Sequence, residues 1–270
     1  MPAQAAPAIA TNQESRPMWK ALPLVLLALP GLACAAENCQ FQAARNLSVN
    51  MAGVRTVVVR TGPYDFHVKA GNAARVEGRA CASSQEGLDQ IQLTQRREGD
   101  RLIITTENER SNGSGGWFGR NYAYLDVNIT LPKTVALEVA VGSGDADVTG
   151  LTNVVAHVGS GDLVVRGAES LDAGVGSGDI KVEDIGKLEL AAVGSGDVEG
   201  SNIRGDVRIG TIGSGDVDLR KVGGNVEART IGSGGLNVAA VGGGLRVNHV
   251  GSGSVDHRDV KGRIDIPSED

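Results

Sequence analysis

Asp145, Asp162, Asp179, Asp197 and Asp216 each close a Gly-Ser-Gly-Asp tetrad, at intervals of 17, 17, 18 and 19 residues. Carboxylates repeated this regularly could do two kinds of chemistry. Stacked in a column, they could supply some of the roughly six to eight oxygens that Ca²⁺ takes. Paired across a cleft, they could act as acid and base on a glycosidic bond, as in polysaccharide-active β-helix enzymes. The other reactive types offer less. His67, His157, His249 and His257 are scattered without metal-ligand spacing. The many serines sit inside the tetrads with no histidine beside them. His157 and His249 each precede a corner aliphatic and are expected to face solvent, whereas His257 stands at a normally apolar place in the last repeat.

The tetrads must be positioned by something, and their period says what. Gly-Ser-Gly begins at Gly142, Gly159, Gly176, Gly194, Gly213, Gly232 and Gly251. A near-fixed period of 17 to 19 residues is the signature of a solenoid. The apolar residues agree. After Gly213 they are Val217, Leu219, Val222, Val226, Ala228 and Ile231, and after Gly176 they are Ile180, Val182, Ile185, Leu188, Leu190 and Val193. Each copy holds two pairs at strand spacing and two corner residues. Length changes fall only after the third apolar residue and before the sixth, which leaves the strands in register. One copy alone is a single strand thick and cannot bury its aliphatics, so the copies are expected to fold as an array. The expected fold is all-β: a parallel β-solenoid (β-helix), right-handed by the general crossover preference, with Val182, Gly200 and Leu219 adjacent along one axis.

In that arrangement the tetrads are corners. Their glycines are expected to adopt backbone angles closed to other residues, and serine and aspartate to bond nearby N–H groups. The five aspartates would stand about 4.8 Å apart, where neighbouring charges repel by about 1 kcal/mol in water. Each carboxylate is expected to offset this by accepting N–H bonds within its own corner. The alternative is a calcium column through Asp145, Asp162, Asp179, Asp197 and Asp216. Against it, calcium-binding β-rolls use a nine-residue unit, and this column lapses to Gly235 and Ser254 while the corner persists. No metal and no other cofactor is therefore expected.

Residues 131–270 carry 13 Lys/Arg against 21 Asp/Glu, which argues against nucleic acid as a partner. One outward column reads Asp147, Val164, Lys181, Glu199, Asp218, Asn237 and Asp256, with no basic stripe. All eight aromatics precede residue 125, so the repeats lack stacking platforms for bases or sugars. A catalytic site should break the repeat, and none of the copies does so convincingly. The chain reads as no enzyme.

Residues 37–130 read as a β-rich cap without tetrads, with strands at 54–60, 64–70, 74–80, 101–107 and 122–132. The loop "ERSNGSGGWFGRNY" holds Trp117 and Phe118 between glycines, either folded back as part of the cap or exposed as a partner contact. Residues 1–36 read as a signal peptide: Arg16 and Lys20 precede the apolar run "ALPLVLLALPGLA", which is too short to span a bilayer. Met18 is an alternative start. Cys34, in "GLAC", raises the reading of a lipid-anchored protein, but Gly31 stands where such signals usually carry Leu. Ordinary cleavage near Ala35 or Ala36 is expected, leaving no transmembrane segment in the mature chain. Cys39 and Cys81 would then form one disulfide in an oxidising compartment.

The stretch "LDVNITLP…ALEVAVGSGDADVTGL", the recurrent "GSGD" corners and the preceding "REGDRLIITTE" resemble the bacterial "putative adhesin" family, a domain of unknown function. That family is similar to the GIN domain, described as an auto-transporter adhesin head. The resemblance covers most of residues 45–266. It implies a β-strand-repeat, envelope-associated protein in the periplasm or at the cell surface, and no catalytic residues. The leading expectation is thus a non-catalytic exported envelope protein, structural or adhesin-like, with an unknown envelope or cell-surface ligand. The alternatives are a polysaccharide-active β-helix enzyme and a calcium-dependent surface binder.

Overall fold

Buried and exposed residues alternate along nearly every strand, and the alternation decides which face turns inward. A computed structural model describes residues 39–108 and 122–267. The first part of the chain contributes β1 (Phe41–Ala44), β2 (Thr56–Gly62), β3 (Asp65–Gly71), β4 (Arg75–Ala82), a short helix α1 (Gln85–Asp89), β5 (Ile91–Glu98), β6 (Arg101–Asn108) and β7 (Ala123–Pro132). The Ser84 hydroxyl caps α1 by accepting from the Gly87 N–H at 3.0 Å. The repeats contribute β8 (Ala136–Val141), β9 (Ala146–Thr149), β10 (Asn153–Val158), β11 (Leu163–Arg166), β12 (Ser170–Val175), β13 (Ile180–Glu183), β14 (Lys187–Val193) and β15 (Val198–Ile203). They continue as β16 (Val207–Ile212), β17 (Asp216–Val222), β18 (Val226–Ile231), β19 (Gly235–Val241), β20 (Leu245–Val250), β21 (Ser254–Val260) and β22 (Ile264–Asp265).

These strands form two sheets. The odd-numbered repeat strands, β9 to β21, stack in one sheet, and the even-numbered ones, β8 to β22, stack in the other. Each coil therefore gives one strand to each sheet, and every pairing between coils is parallel. Val182 pairs with Gly200 and Gly200 with Leu219, as the period requires. The fold is an all-β parallel solenoid. Coil length varies through a local bulge: Leu190 pairs with Ala173 and Ala192 with Gly174, so Ala191 is the extra residue that lengthens its coil and the pairing resumes beyond it.

The chain before residue 131 joins the same two sheets. β2 pairs parallel with β8 and β3 with β9, so β2–β3 is itself a coil. β6 and β7 lie on its far side, also parallel. Beyond them the direction reverses: β4 is antiparallel to β7, β1 to β4, and β5 to β6. The five strands expected here match β2, β3, β4, β6 and β7 to within two residues. β1, α1 and β5 were not expected. β5 buries only Ile91 and Leu93, then runs through exposed Gln and Arg, so its sequence lacks a full apolar alternation.

One continuous core runs from Val57 to Val247. Valine, leucine, isoleucine and alanine fill it along the repeats, while Tyr64 and Phe66 are buried at the β2–β3 coil. Gly200 occupies an inward place that holds valine or leucine in neighbouring coils. A Cβ there would meet Leu219 Cδ2 at 2.7 Å and Ile203 Cδ1 at 3.2 Å, so those larger side chains already occupy its volume.

Candidate functional site

The tetrads turn the chain from one sheet to the other, and they do so by hydrogen bonding to the coil below. Gly176 N–H donates to Val158 O at 2.8 Å, Ser177 N–H to Gly159 O at 2.8 Å and Gly178 N–H to the same Gly159 O at 3.1 Å. The serine hydroxyls stand in solvent, so serine's contribution to the stack is its backbone. The glycines differ from the expectation of unusual backbone angles: none of the tetrad glycines has a left-handed φ. What they need is room. A Cβ on Gly161 would stand 1.9 Å from Gly144 O, on Gly178 1.8 Å from Gly161 O, and on Gly196 1.7 Å from Gly178 O. Coils at sheet spacing leave no volume for a side chain at the third position.

The five aspartates form one column along this edge, and their carboxylates form a ladder. Asp162 N–H donates to Asp145 Oδ1 at 3.0 Å, Asp179 N–H to Asp162 Oδ1 at 3.1 Å, Asp197 N–H to Asp179 Oδ1 at 2.9 Å, and Asp216 N–H to Asp197 Oδ1 at 2.9 Å. The acceptance is from the next coil, not from within the same corner as the sequence suggested. The column lapses at Gly235 without breaking the last bond, because Gly235 N–H still donates to Asp216 Oδ1 at 2.7 Å. At the other end the ladder begins one coil earlier, with Asp145 N–H on Asp65 Oδ1 at 3.1 Å. Gly62-Pro63-Tyr64-Asp65 is therefore the first corner of the series among the described residues. The sequence reading missed it because proline and tyrosine replace serine and glycine. Aligning "VVVRTGPYDFHV" on "LEVAVGSGDADV" would have found it.

The opposite edge carries features of its own. Gly150, Gly167, Asp184, Asn202, Lys221, Ala240 and Asp259 occupy one place in successive coils, all with φ between 55° and 78°. Five of the seven are not glycine, and each such residue bears roughly 1–2 kcal/mol of left-handed strain. A shorter ladder follows: Asn225 N–H donates to Asp206 Oδ1 and Gly244 N–H to Asn225 Oδ1, both at 2.8 Å.

The outer face of the first sheet carries a cluster of ion pairs. Arg166 pairs with Asp147 at 2.6 Å and Glu183 at 3.1 Å, and Lys181 reaches Glu183 at 3.3 Å. Bonds from Asp147 and then Glu183 hold the Arg166 guanidinium above its ordinary range. Bonds from Lys181 and then Arg166 hold the Glu183 carboxyl below its own. Further along, Ala239 leaves a shallow groove of about 460 Å³ between Arg220 and Arg258, edged by Asp218, Asn237 and Asp256. This face can hold a polar partner through ion pairs and hydrogen bonds.

His67, His157, His249 and His257 are all exposed. Among the described residues no group of three or more His, Cys, Asp or Glu is arranged to hold a metal ion. Cys39 and Cys81 lie side by side with Cα atoms 5.7 Å apart, within disulfide reach, at the start of the described chain and in β4. Trp117, Phe118, Cys34 and the signal segment lie outside the described residues. No helix among the described residues is long and apolar enough to cross a membrane.

Among curated proteins none matches this chain. Among solved structures it is similar to a putative adhesin from Bacteroides fragilis, 14% identical, covering 84% of this chain and 97% of that one with a TM-score of 0.45. A putative adhesin from Parabacteroides merdae is 12% identical over 83% of this chain and 96% of its own, with a TM-score of 0.42. A putative lipid binding protein from Parabacteroides distasonis is 14% identical over 83% of this chain and 97% of its own, with a TM-score of 0.41. The Toastrack DUF4097 family matches residues 54–268, most of the chain from β2 to its last strand, and the chain belongs to that family.

Proposed function

We propose that this is a non-catalytic exported protein of the bacterial envelope, acting as a rigid binding module through the outer face of its first sheet. One observation carries the reading: functional groups recur coil by coil and do not converge. The acids that could have served catalysis or calcium each have Oδ1 engaged by a backbone N–H of the next coil. The charged residues of the outer face are instead laid out as columns. Residues 1–36 as a signal peptide, the Cys39–Cys81 disulfide, residues 37–130 as a cap and residues 131–270 as the solenoid complete the proposal. Within it, Trp117 and Phe118 are a partner contact, and the relation to the GIN domain rests on the quoted motifs alone.

The test is a glycan array probed with the mature chain, with and without Ca²⁺, alongside an assay for sugar released from envelope polysaccharide. Calcium-independent binding without product supports the proposal. Release of sugar favours the β-helix enzyme, and binding lost on chelation favours the calcium-dependent binder; either result overturns it.

A further inference from the structure

We infer that β21 is a self-complementary interface, through which two copies of this chain pair antiparallel about His257 and extend the first sheet across a twofold axis. The two ends of the stack are finished differently. At one end β4 and β1 lie outside β7, and β5 lies outside β6, all antiparallel. At the other, the second sheet is blunted: β22 is two residues long and Pro267 follows shortly after. β21 is seven residues long and ends the first sheet, and among the described residues nothing pairs with its outer edge. Val255 and Val260 are partly exposed, although their counterparts one coil earlier, Leu236 and Val241, are 1% and 0% exposed.

The backbone of that edge has a definite polarity. In an inner coil, Ile180 N–H donates to Asp197 O at 2.9 Å and Asp184 N–H to Ser201 O at 3.1 Å, both toward the next coil. Val255 is the counterpart of Ile180 and His257 of Val182 by strand register, and Asp259 shares the left-handed place of Asp184. By the same pleat, the N–H groups of Val255, His257 and Asp259 point off the free edge. Antiparallel pairing centred on His257 sets Val255 against the partner's Asp259 and His257 against the partner's His257. His257 then exchanges both backbone bonds with the partner copy, while the N–H of the left-handed Asp259 meets the partner's Val255 carbonyl.

The side chains select this register. Between those pairs, Asp256 faces the partner's Arg258, twice by symmetry, at the positions where opposed side chains come closest. Within its own chain Asp256 lies beside Asn237 and Arg258 beside Ala239, so neither finds an opposite charge on the neighbouring strand, and Arg258 reaches the adjacent Asp259 only at 4.0 Å. Arg166, by contrast, is held between Asp147 and Glu183. Centring the pair on Asp256 or on Arg258 instead would oppose like charges. The twofold interface closes on itself and leads to a dimer, not a filament.

Sedimentation velocity on the full mature chain, over a concentration series, tests the inference. The wild type should dimerise, and Asp256→Arg or Arg258→Asp should each weaken the dimer by roughly tenfold or more. The double variant carrying both reversals should restore it. His257→Pro removes an N–H that no bond within the chain uses, so it should give a monomer with an unchanged far-UV circular dichroism spectrum. A wild type monomeric at every concentration, a dimer indifferent to these substitutions, or a double reversal that fails to rescue would each overturn the inference. The readout is mass alone, so it stands or falls apart from the glycan-array result.

Discussion

Asp179 Oδ1 accepts a hydrogen bond from the backbone N–H of Asp197, one coil further on, at 2.9 Å. A side chain in one repeat thus satisfies the backbone of the next, and the carboxylate column becomes a joint between coils. These bonds offset part of the repulsion between the like charges it brings together.

It follows that acceptance, not charge, is what the column needs. Asp179→Ala should destabilise by about 1 kcal/mol, since it leaves an N–H without its partner. Asp179→Asn keeps an acceptor and removes one repulsive charge, and it should fall within about 0.5 kcal/mol of wild type. Asn225 already serves this way on the opposite edge. Urea unfolding checks the pair; equal losses for Asn and Ala would show that the negative charge matters.

Close packing at the corner gives a sharper contrast. Gly196→Ala places a Cβ 1.7 Å from the carbonyl of Gly178, which is backbone and cannot swing aside. Gly174→Ala meets nothing nearer than Ala192 O at 3.6 Å. The first should cost on the order of 3 kcal/mol or prevent folding, and the second should stay within about 0.5 kcal/mol of wild type. Thermal melts of the two proteins side by side read the difference.

Gly200→Val should also destabilise, by about 1–3 kcal/mol, through overpacking against Leu219 and Ile203. Adding Leu219→Ala to that variant should return part of the loss, by vacating the volume the new side chain enters. Denaturant titration of the single and double variants measures the recovery.

At the opposite edge a gain is expected. Ala240 has φ of 58°, so Ala240→Gly relieves left-handed strain at the cost of a more flexible unfolded chain. The net should be a stabilisation of about 0.5–1 kcal/mol. The same exchange at Val226, which is buried in β18, should be strongly destabilising.

The charged face has a pH signature. The Glu183 carboxyl is held below its ordinary range by Lys181 and Arg166, so its contribution to stability is present above the unfolded-state value. It is lost as pH falls through the depressed folded-state value. The stability difference between wild type and Glu183→Gln should therefore shrink on acidification below the usual carboxylate range. Chemical denaturation at a series of acidic pH values follows it.

The solenoid was legible because its period is written twice, once in tetrads and once in aliphatics such as Val182, Gly200 and Leu219. Where the two signals separate, legibility fails. The Gly62–Asp65 corner keeps the aliphatic pattern but loses the tetrad, with Pro63 and Tyr64 where later corners have serine and glycine. The ladder between coils was not legible either. A carboxylate beside its own corner amides and one beside the next coil's amides read the same in sequence; only stacking distance separates them. The left-handed column was hidden because five of its members, from Asp184 to Asp259, are not glycine. Spatial order at the β2–β3 coil also departs from chain order, which no local pattern records.

Disulfide trapping between coils tests the stacking most directly. Ser177, Ser195 and Ser214 are exposed at the same place in three successive corners. Neighbouring coils place them about 4.8 Å apart, within disulfide reach, and alternate coils about twice that, beyond it. Ser177→Cys with Ser195→Cys should oxidise to an intramolecular bond, seen by mass spectrometry, whereas Ser177→Cys with Ser214→Cys should not. Equal trapping of both pairs, or trapping of the second alone, would contradict the stacked-coil account.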